Sequence, residues 1–407
     1  MDHILLAVPL FFVLMGLELA WSLWSGRGVY RFSDTVANLG CGIGSQLVGA
    51  FTKSAVFAVY AAVYSHARLI TLPPSPFTWL LAFLLIDLLY YWFHRLSHEV
   101  GFLWAAHVVH HQSEEYNLSV ALRQSWWQGL FSFWFYVPVA LLGVDPLTLL
   151  LVAAFVTLYQ FWIHTTAIGR LGPLEWVLNT PSHHRVHHGS DPKYIDRNHA
   201  GTLIIWDKLF GTFQREEEEP VYGITVPLRT WDPLRANLDQ WGALIRLARQ
   251  CRTWKDRLLV FLKPPGWRPG YLGGSQGPKQ RDRASHRKFE TAATPAARAY
   301  TAAQFVLLLG LSIAFLLGQG ELPGPMKAAS ALLIVHGLAN LGALLEGRRW
   351  ALWSEAARAL LTAALLGWAL QRMHIAAPGL PAGLLAFTLA HLALLSARLG
   401  QPARHAG

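Results

Sequence analysis

Four histidines fill six positions in the phrase "NTPSHHRVHHG", from His183 to His188. Neutral imidazole is a proton carrier and the commonest metal ligand. So dense a set has a chemical purpose only if its members, and others, meet at one point. The segment "DLLYYWFHRLSHEVGFLWAAHVVHH" (87–111) carries H-x-x-x-H at His94 and His98, then H-x-x-H-H at His107, His110 and His111. The second spacing recurs at His184, His187 and His188, with His183 directly ahead of it. His164 closes an apolar run in "QFWIHTT", and these ten make up most of the chain's 18 histidines.

Residues four apart share a helix face, so His94 and His98 project the same way. The i, i+3, i+4 triplets are expected to gather three imidazoles each onto one face. Two triplets, a pair and a single histidine can enclose a small volume, with about as many nitrogens as two metal ions need. Cys41 and Cys251 are the only cysteines and lie far apart, which excludes an iron–sulfur site and zinc-finger spacing. A metal here must be one that imidazole suits: iron, copper, nickel or zinc. His183 lies off the triplet face and is expected to be a ligand or to stand behind one, and His199 is further removed. A lone histidine near a membrane interface is ordinarily an amphipathic anchor. That reading covers His3, His66, His286, His336, His374, His391 and His405.

Two carboxylates invite roles beside the histidines. Asp87, one helical face with His94 and deeper in its span, is expected to accept the second N–H of a liganding imidazole and fix its tautomer. A buried bond to Tyr or Trp is the plainer alternative. Glu99 points about 100° away from the His94–His98 face, which makes it a poor ligand and a candidate contact for substrate or cofactor; a solvated surface charge is the alternative. Glu115, Asn117, Arg123 and Gln124 are placed at the entrance, and Glu216–Glu219 are read as a solvated loop.

The elements that carry these residues belong to a membrane. Hydrophobic residues make up 53% of the chain and charged ones 14%, with mean hydropathy +0.30, against about 25% charged for soluble domains. Apolar segments at 4–24, 48–67, 77–93, 126–144, 146–164, 303–317, 326–345, 351–373 and 382–395 predict an all-α, polytopic helical bundle of about nine spans, bearing a His-rich cytoplasmic di-metal cap. The Gly-rich stretch 36–47 is read as a close-packing or re-entrant segment, and 234–262 as a basic amphipathic helix on the membrane face. The expected organisation is a catalytic membrane domain over 1–270, a linker over 271–300 and a C-terminal four-helix membrane domain over 301–407. The net charge of +10 comes without a recognition motif, so it excludes nucleic acid as a partner and instead reports basic loops on the inner face. With the N-terminus outside, Arg27, Arg31, the basic stretch 165–299, "EGRRW" and the tail 397–407 all fall in the cytoplasm, together with the histidines. The protein is expected in the inner membrane of a bacterium or the endoplasmic reticulum of a eukaryote.

The three histidine spacings on hydrophobic hairpins resemble the fatty acid hydroxylase superfamily, which includes sterol desaturases and C-4 methyl oxidases. The flanking phrases "YYWFHRLSHE", "HHQSEEYNLSVALRQS", "NTPSHHRVHHG" and "YIDRNHAGTLIIWDKLFGTF" are similar to its alkylglycerol monooxygenase branch, over residues 8–270. The resemblance implies two iron ions that activate O2 to hydroxylate a C–H bond of a membrane lipid. In that branch the carbon is the one attached to an ether oxygen, and tetrahydrobiopterin is the reductant. By motif position the family's ligands fall on His94, His98, His107, His110, His111, His164, His184, His187 and His188. Glu99 matches a position retained beside the first pair. One departure is His199, where the related phrase carries an aromatic. No flavin, nicotinamide or cytochrome b5-like module is encoded, so electrons must come from an external donor, a pterin or a partner protein. Two rivals are a sterol or fatty acyl hydroxylase or desaturase fed by an electron-transfer protein, and a non-catalytic metal-binding membrane protein or transporter. Histidines at span ends argue against transport, which favours ligands at the midplane.

Overall fold

A computed structural model of the chain describes residues 3–279, 283, 286–372, 374, 377 and 379–399. His405 and residues 400–407 of the basic tail lie outside the described residues. Sixteen α-helices are described: α1 (His3–Ser25), α2 (Phe32–Ala67), α3 (Pro76–Glu99), α4 (Gly101–Ala105), α5 (Val108–His111), α6 (Leu118–Ala121), α7 (Gln128–Leu141), α8 (Pro146–Trp162), α9 (Pro181–His187), α10 (Ile205–Phe210), α11 (Pro233–Gln250), α12 (Trp254–Leu262), α13 (Pro295–Gly318), α14 (Gly324–Leu345), α15 (Trp350–Arg372) and α16 (Gly379–Leu399). Among the described residues there is no β-strand, only isolated bridges at Leu178–Leu203 and Gly189–Tyr222. The protein is all-helical and integral to the membrane.

Five helices, α1, α2, α3, α13 and α14, are long and apolar enough to cross a bilayer. α7, α8 and most of α16 are apolar but shorter. Helix starts follow from local chemistry. Ser75, Asp145 and Thr294 each cap a helix whose next residue is proline, accepting backbone N–H bonds from Thr78, from Leu147 and Thr148, and from Ala297. The cap satisfies donors that the helix cannot, and proline at the first position forfeits none.

The chain forms two compact units, residues 1–228 with 237–288, and residues 229–236 with 289–407. In the first, α2, α3, α7 and α8 pack around Tyr60, Ile86, Phe133, Val139, Val152 and Val156. The Gly-rich stretch does not break or re-enter: α2 runs unbroken through it for 36 residues. Its glycines serve close approach. A Cβ on Gly42 would lie 2.4 Å from the Leu122 carbonyl oxygen, and one on Gly44 2.3 Å from the Trp126 indole. Helix pairing in lipid relies on such small residues. The basic amphipathic stretch divides into α11 and α12 around Cys251–Thr253.

In the second unit α13–α16 form a bundle in which each helix packs on its sequence neighbour and α16 returns to α13. α15 carries a buried ion pair, Arg358 Nη2 to Glu355 Oε1 at 2.5 Å. Tyr300 and Asn340 donate to the same carboxylate and Gln304 accepts from Arg358. A charge pair in hydrocarbon persists only when partnered this completely.

Candidate metal centre

α3 ends in the His94–His98 pair, one turn apart on its buried side. The chain then turns through α4 into α5, only four residues long, which carries His110 and His111 and begins after His107. His164 follows the end of α8, and α9 holds His184 and His187 with His188 at its C-cap. All nine are buried. They form two groups whose ligand atoms lie within 4.8 Å of one another: His94, His98, His107, His111 and His187, and His110, His164, His184 and His188.

The grouping differs from the expectation that each triplet serves one face. In both H-x-x-H-H motifs the first and last histidines enter one group and the middle one crosses to the other. His107 and His111 join the five, His110 the four; His184 and His188 join the four, His187 the five. The i+3 residue lies about 60° round the helix from the first, on the opposite side from i+4, so one short helix can face two centres. In the larger group the rings of His94, His107, His111 and His187 follow one another around a cycle with centroids 4.7, 4.9, 4.7 and 4.3 Å apart. His98 lies 4.8–5.5 Å from all four.

Proton positions make this a cation site. His94 Nδ1 lies 2.7 Å from the His199 carbonyl oxygen, His110 Nδ1 3.1 Å from that of Arg123 and His164 Nδ1 2.7 Å from that of Gln160. A carbonyl only accepts, so each of these rings carries its proton on Nδ1 and, when neutral, a bare lone pair on Nε2. Those Nε2 atoms nevertheless face other Nε2 atoms: His94 to His107 at 3.0 Å, His164 to His110 at 3.1 Å and to His184 at 3.0 Å. His110 and His164 both have Nδ1 protonated, so their contact sets lone pair against lone pair. Only a shared cation makes it favourable. Two nitrogens bound at about 2.1 Å to one ion and at right angles lie about 3.0 Å apart, which matches. Nε2 of His98, His187 and His188 has no hydrogen-bond partner. Burial pushes the His107 imidazole down to about 3 and that of His164 to about 4. Burial, reinforced by neighbouring imidazoles, holds His110, His111, His184, His187 and His188 well below their ordinary value. These seven are therefore neutral donors at pH 7. The donor set, nitrogen alone, fits iron.

Other expected residues lie elsewhere. Asp87 does not hold an imidazole: its carboxylate accepts from the backbone of Thr202 and Leu203 at 2.8 and 3.0 Å and from Trp206 Nε1 at 2.9 Å. The tryptophan alternative is the one realised, because the loop after α9 folds onto α3 between Asp87 and the histidines. Glu99 accepts from Arg95 Nε at 2.8 Å with its side chain 42% exposed, and it belongs to neither group. His183 turns away to the ring of Phe213. His336 and His391 also stay outside, bonded to Ser354 and to the Phe387 carbonyl. The His199 ring stands 5.0 Å from that of His98 but outside the group.

Several supports escaped sequence reasoning. Gln128 Oε1 accepts from His107 Nδ1 at 2.8 Å. Arg123 does not line an entrance but donates inward to the Val109 carbonyl and to Gln112, behind the second motif. Glu115 pairs with Arg31 and Lys288. The acidic run is not merely solvated: Glu216 grips Arg185 through both oxygens at 2.6 and 2.7 Å. Arg185, in turn, donates to the carbonyls of Thr165 and Ile168, beside His164. An arginine between two ligand positions of one motif was the available signal for a nearby acid.

Comparison with known proteins agrees with this geometry. The family model "Fatty acid hydroxylase" matches residues 79–212, which contain all nine histidines. An alkylglycerol monooxygenase of Homo sapiens is 40% identical over 88% of this chain and 81% of its own length. One from Danio rerio is 39% identical over 96% and 86%. One from Xenopus tropicalis is 45% identical over 66% of this chain, but the match spans only 60% of that protein. No solved structure matches the chain at a significant level.

Proposed function

The chain belongs to the alkylglycerol monooxygenase branch of the fatty acid hydroxylase superfamily, a family of membrane lipid monooxygenases, and from that premise we propose that it cleaves the ether bond of alkylglycerols at a di-iron centre. The facing Nε2 lone pairs of His110 and His164 carry the metal part of the reading. In it, His94, His98, His107, His111 and His187 hold one iron and His110, His164, His184 and His188 the other. Iron bound there supplies the activation of O2 for insertion into an unactivated C–H bond. One oxygen atom enters the C–H bond beside the ether oxygen and the other leaves as water, with two electrons from the reductant. The hemiacetal then separates into a fatty aldehyde and glycerol.

The protein's own part is to present neutral nitrogens at fixed angles and to keep bulk water away. Carbonyls behind Nδ1 of His94, His110, His164 and His187 strengthen Nε2 as a donor and stop the rings from turning. Trp104 packs 5.1 Å from His98 and Tyr116 5.3 Å from His188, centroid to centroid, which shields a reactive oxidant. The site faces the cytoplasm, an orientation supported by Arg27, Arg31 and the basic stretch 165–299. Tetrahydrobiopterin or a similar soluble donor reaches it from that side, and Glu99 is available as its contact. Incubating the purified protein with an alkylglycerol labelled in the alkyl chain should yield labelled fatty aldehyde with tetrahydropterin and none without it. Turnover of sterols or fatty acids alone, or dependence on an electron-transfer protein, would refute the substrate and the donor respectively.

A further inference from the structure

One short loop stands behind three of the five histidines of the larger group. His98 Nδ1 lies 3.2 Å from Asp196 Oδ1, His187 Nδ1 donates to the Arg197 carbonyl at 2.9 Å, and His94 Nδ1 to the His199 carbonyl at 2.7 Å. Three residues within a stretch of four thus supply the acceptors that set the tautomers of three rings. The backbone there is unusual: Asp196 and Asn198 both have positive φ, 55° and 54°. Asp and Asn tolerate this region better than other non-glycine residues, but such a conformation lasts only where its surroundings hold it.

Two buried carboxylates do the holding. Asp207 accepts from the backbone N–H of His199 at 2.7 Å and of Ala200 at 2.8 Å, and from the Thr212 hydroxyl at 2.6 Å. Asp87 accepts from those of Thr202 and Leu203. Between them they take four backbone donors within five residues. Asp87 also stands on α3, the helix that carries His94 and His98, so the rings and the loop that orients them share one support. Gly201, at the centre, sits so close to α3 that a Cβ would come within 2.8 Å of the Tyr90 ring and 3.0 Å of Asp87 Oδ1.

We propose that Asp207 is a positioning residue for the five-histidine group, acting with Asp87 through the 196–203 loop to fix the ring orientation of His94, His98 and His187. Neither carboxylate touches an imidazole; both act through backbone. In the four-histidine group the Nδ1 acceptors of His110 and His164 are the carbonyls of Arg123 and Gln160, both outside this loop, so that group depends on it less. The inference rests on the reading of both groups as metal sites, and it is independent of substrate and reductant.

The test is a Co(II) titration of the metal-free full-length protein in detergent, followed by ligand-field absorption, which reports site occupancy without turnover. The unsubstituted protein should bind two equivalents. Asp207→Asn puts an amide N–H against backbone donors. It should weaken one of the two equivalents by about ten- to hundredfold, the usual effect of removing a hydrogen-bond partner that stands behind a metal ligand, and leave the other unchanged. Gly201→Ala, which displaces the loop without altering any carboxylate, should weaken the same equivalent. It also provides the test if Asp207→Asn does not fold. Equal weakening of both equivalents would reduce Asp207 to a general structural role, and unaltered binding would remove it from the site; either overturns the proposal. A wild-type protein that takes up no Co(II) would instead refute the metal reading beneath it.

Discussion

The crossing of each H-x-x-H-H motif between two groups can be tested on adjacent residues. His110 and His111 share a short helix and are both buried, yet they belong to different groups, proposed to hold different ions. Replacing either by alanine removes one imidazole from one centre only. Structural four-ligand sites bind with about 10–16 kcal/mol, or about 2.5–4 kcal/mol per ligand, which corresponds to roughly a 10²–10³-fold loss of affinity. The outcomes differ because the groups differ in size. His110→Ala leaves three histidines, His164, His184 and His188, and that ion should be lost on dialysis against a mild chelator. His111→Ala leaves four, and its ion should survive the same dialysis but yield to a stronger chelator. Metal analysis by mass spectrometry should therefore find about one equivalent in the first variant and about two in the second. His187→Ala should follow His111→Ala, and His184→Ala should follow His110→Ala, although His184 and His187 lie in the other motif. If variants sort by motif instead of by group, or if every variant loses both ions, the assignment of residues to two centres is wrong.

Three further outcomes are expected. Glu99→Ala should keep both ions while raising the tetrahydropterin concentration needed for turnover by about ten- to hundredfold, the equivalent of one charged hydrogen bond; an unchanged pterin requirement removes Glu99 from the donor's path. The metal-free protein should be acid-sensitive, because His107 and His164 are pushed down to about 3 and about 4 when folded but titrate near 6.5 unfolded. Below pH 6.5 the unfolded chain binds more protons, so melting temperature should hold above that pH and fall steadily towards pH 4; a melting temperature unchanged down to pH 5 would contradict the buried neutral state. Glu219→Cys should react with an impermeant thiol reagent only from the cytoplasmic side, against a silent background since Cys41 and Cys251 are buried; labelling from outside intact cells would invert the topology.

Helix spacing is a local property, and what it implies was readable: the His94–His98 pair sits on one face of α3, and capped starts such as Ser75–Pro76 lie where helices begin. The convergence of nine histidines was readable too, since so many neutral ligands have no other economical use. The division into groups was not. It depends on how α5 and α9, helices of four and seven residues, are angled between two centres, and tertiary contacts with no sequence period set that angle. Gly42 and Gly44 left two readings open, close packing and re-entry, since a glycine cluster looks alike whether it breaks a helix or lets a neighbour approach. Here the Leu122 carbonyl and Trp126 indole, about eighty residues on, decide the matter.

Asp87 shows why the partners of a buried carboxylate resist sequence reasoning. It shares a helix with His94, but its partners are Trp206 and the backbone of a loop that begins more than a hundred residues later. A carboxylate on a helix can satisfy any donors brought to it, and the helix does not determine which donors arrive. Those donors come from Thr202, Leu203 and Trp206, at the end of a stretch with no helical or strand periodicity whose left-handed residues, Asp196 and Asn198, appear in the sequence only as an unremarkable Asp and Asn. Likewise Glu216 reads as one acid among four until Arg185 is found against it. The histidines of the two groups are legible in their spacing because helices repeat. Most of the acceptors behind them are backbone carbonyls, which every residue possesses, and these became identifiable only when the fold showed which of them face an Nδ1.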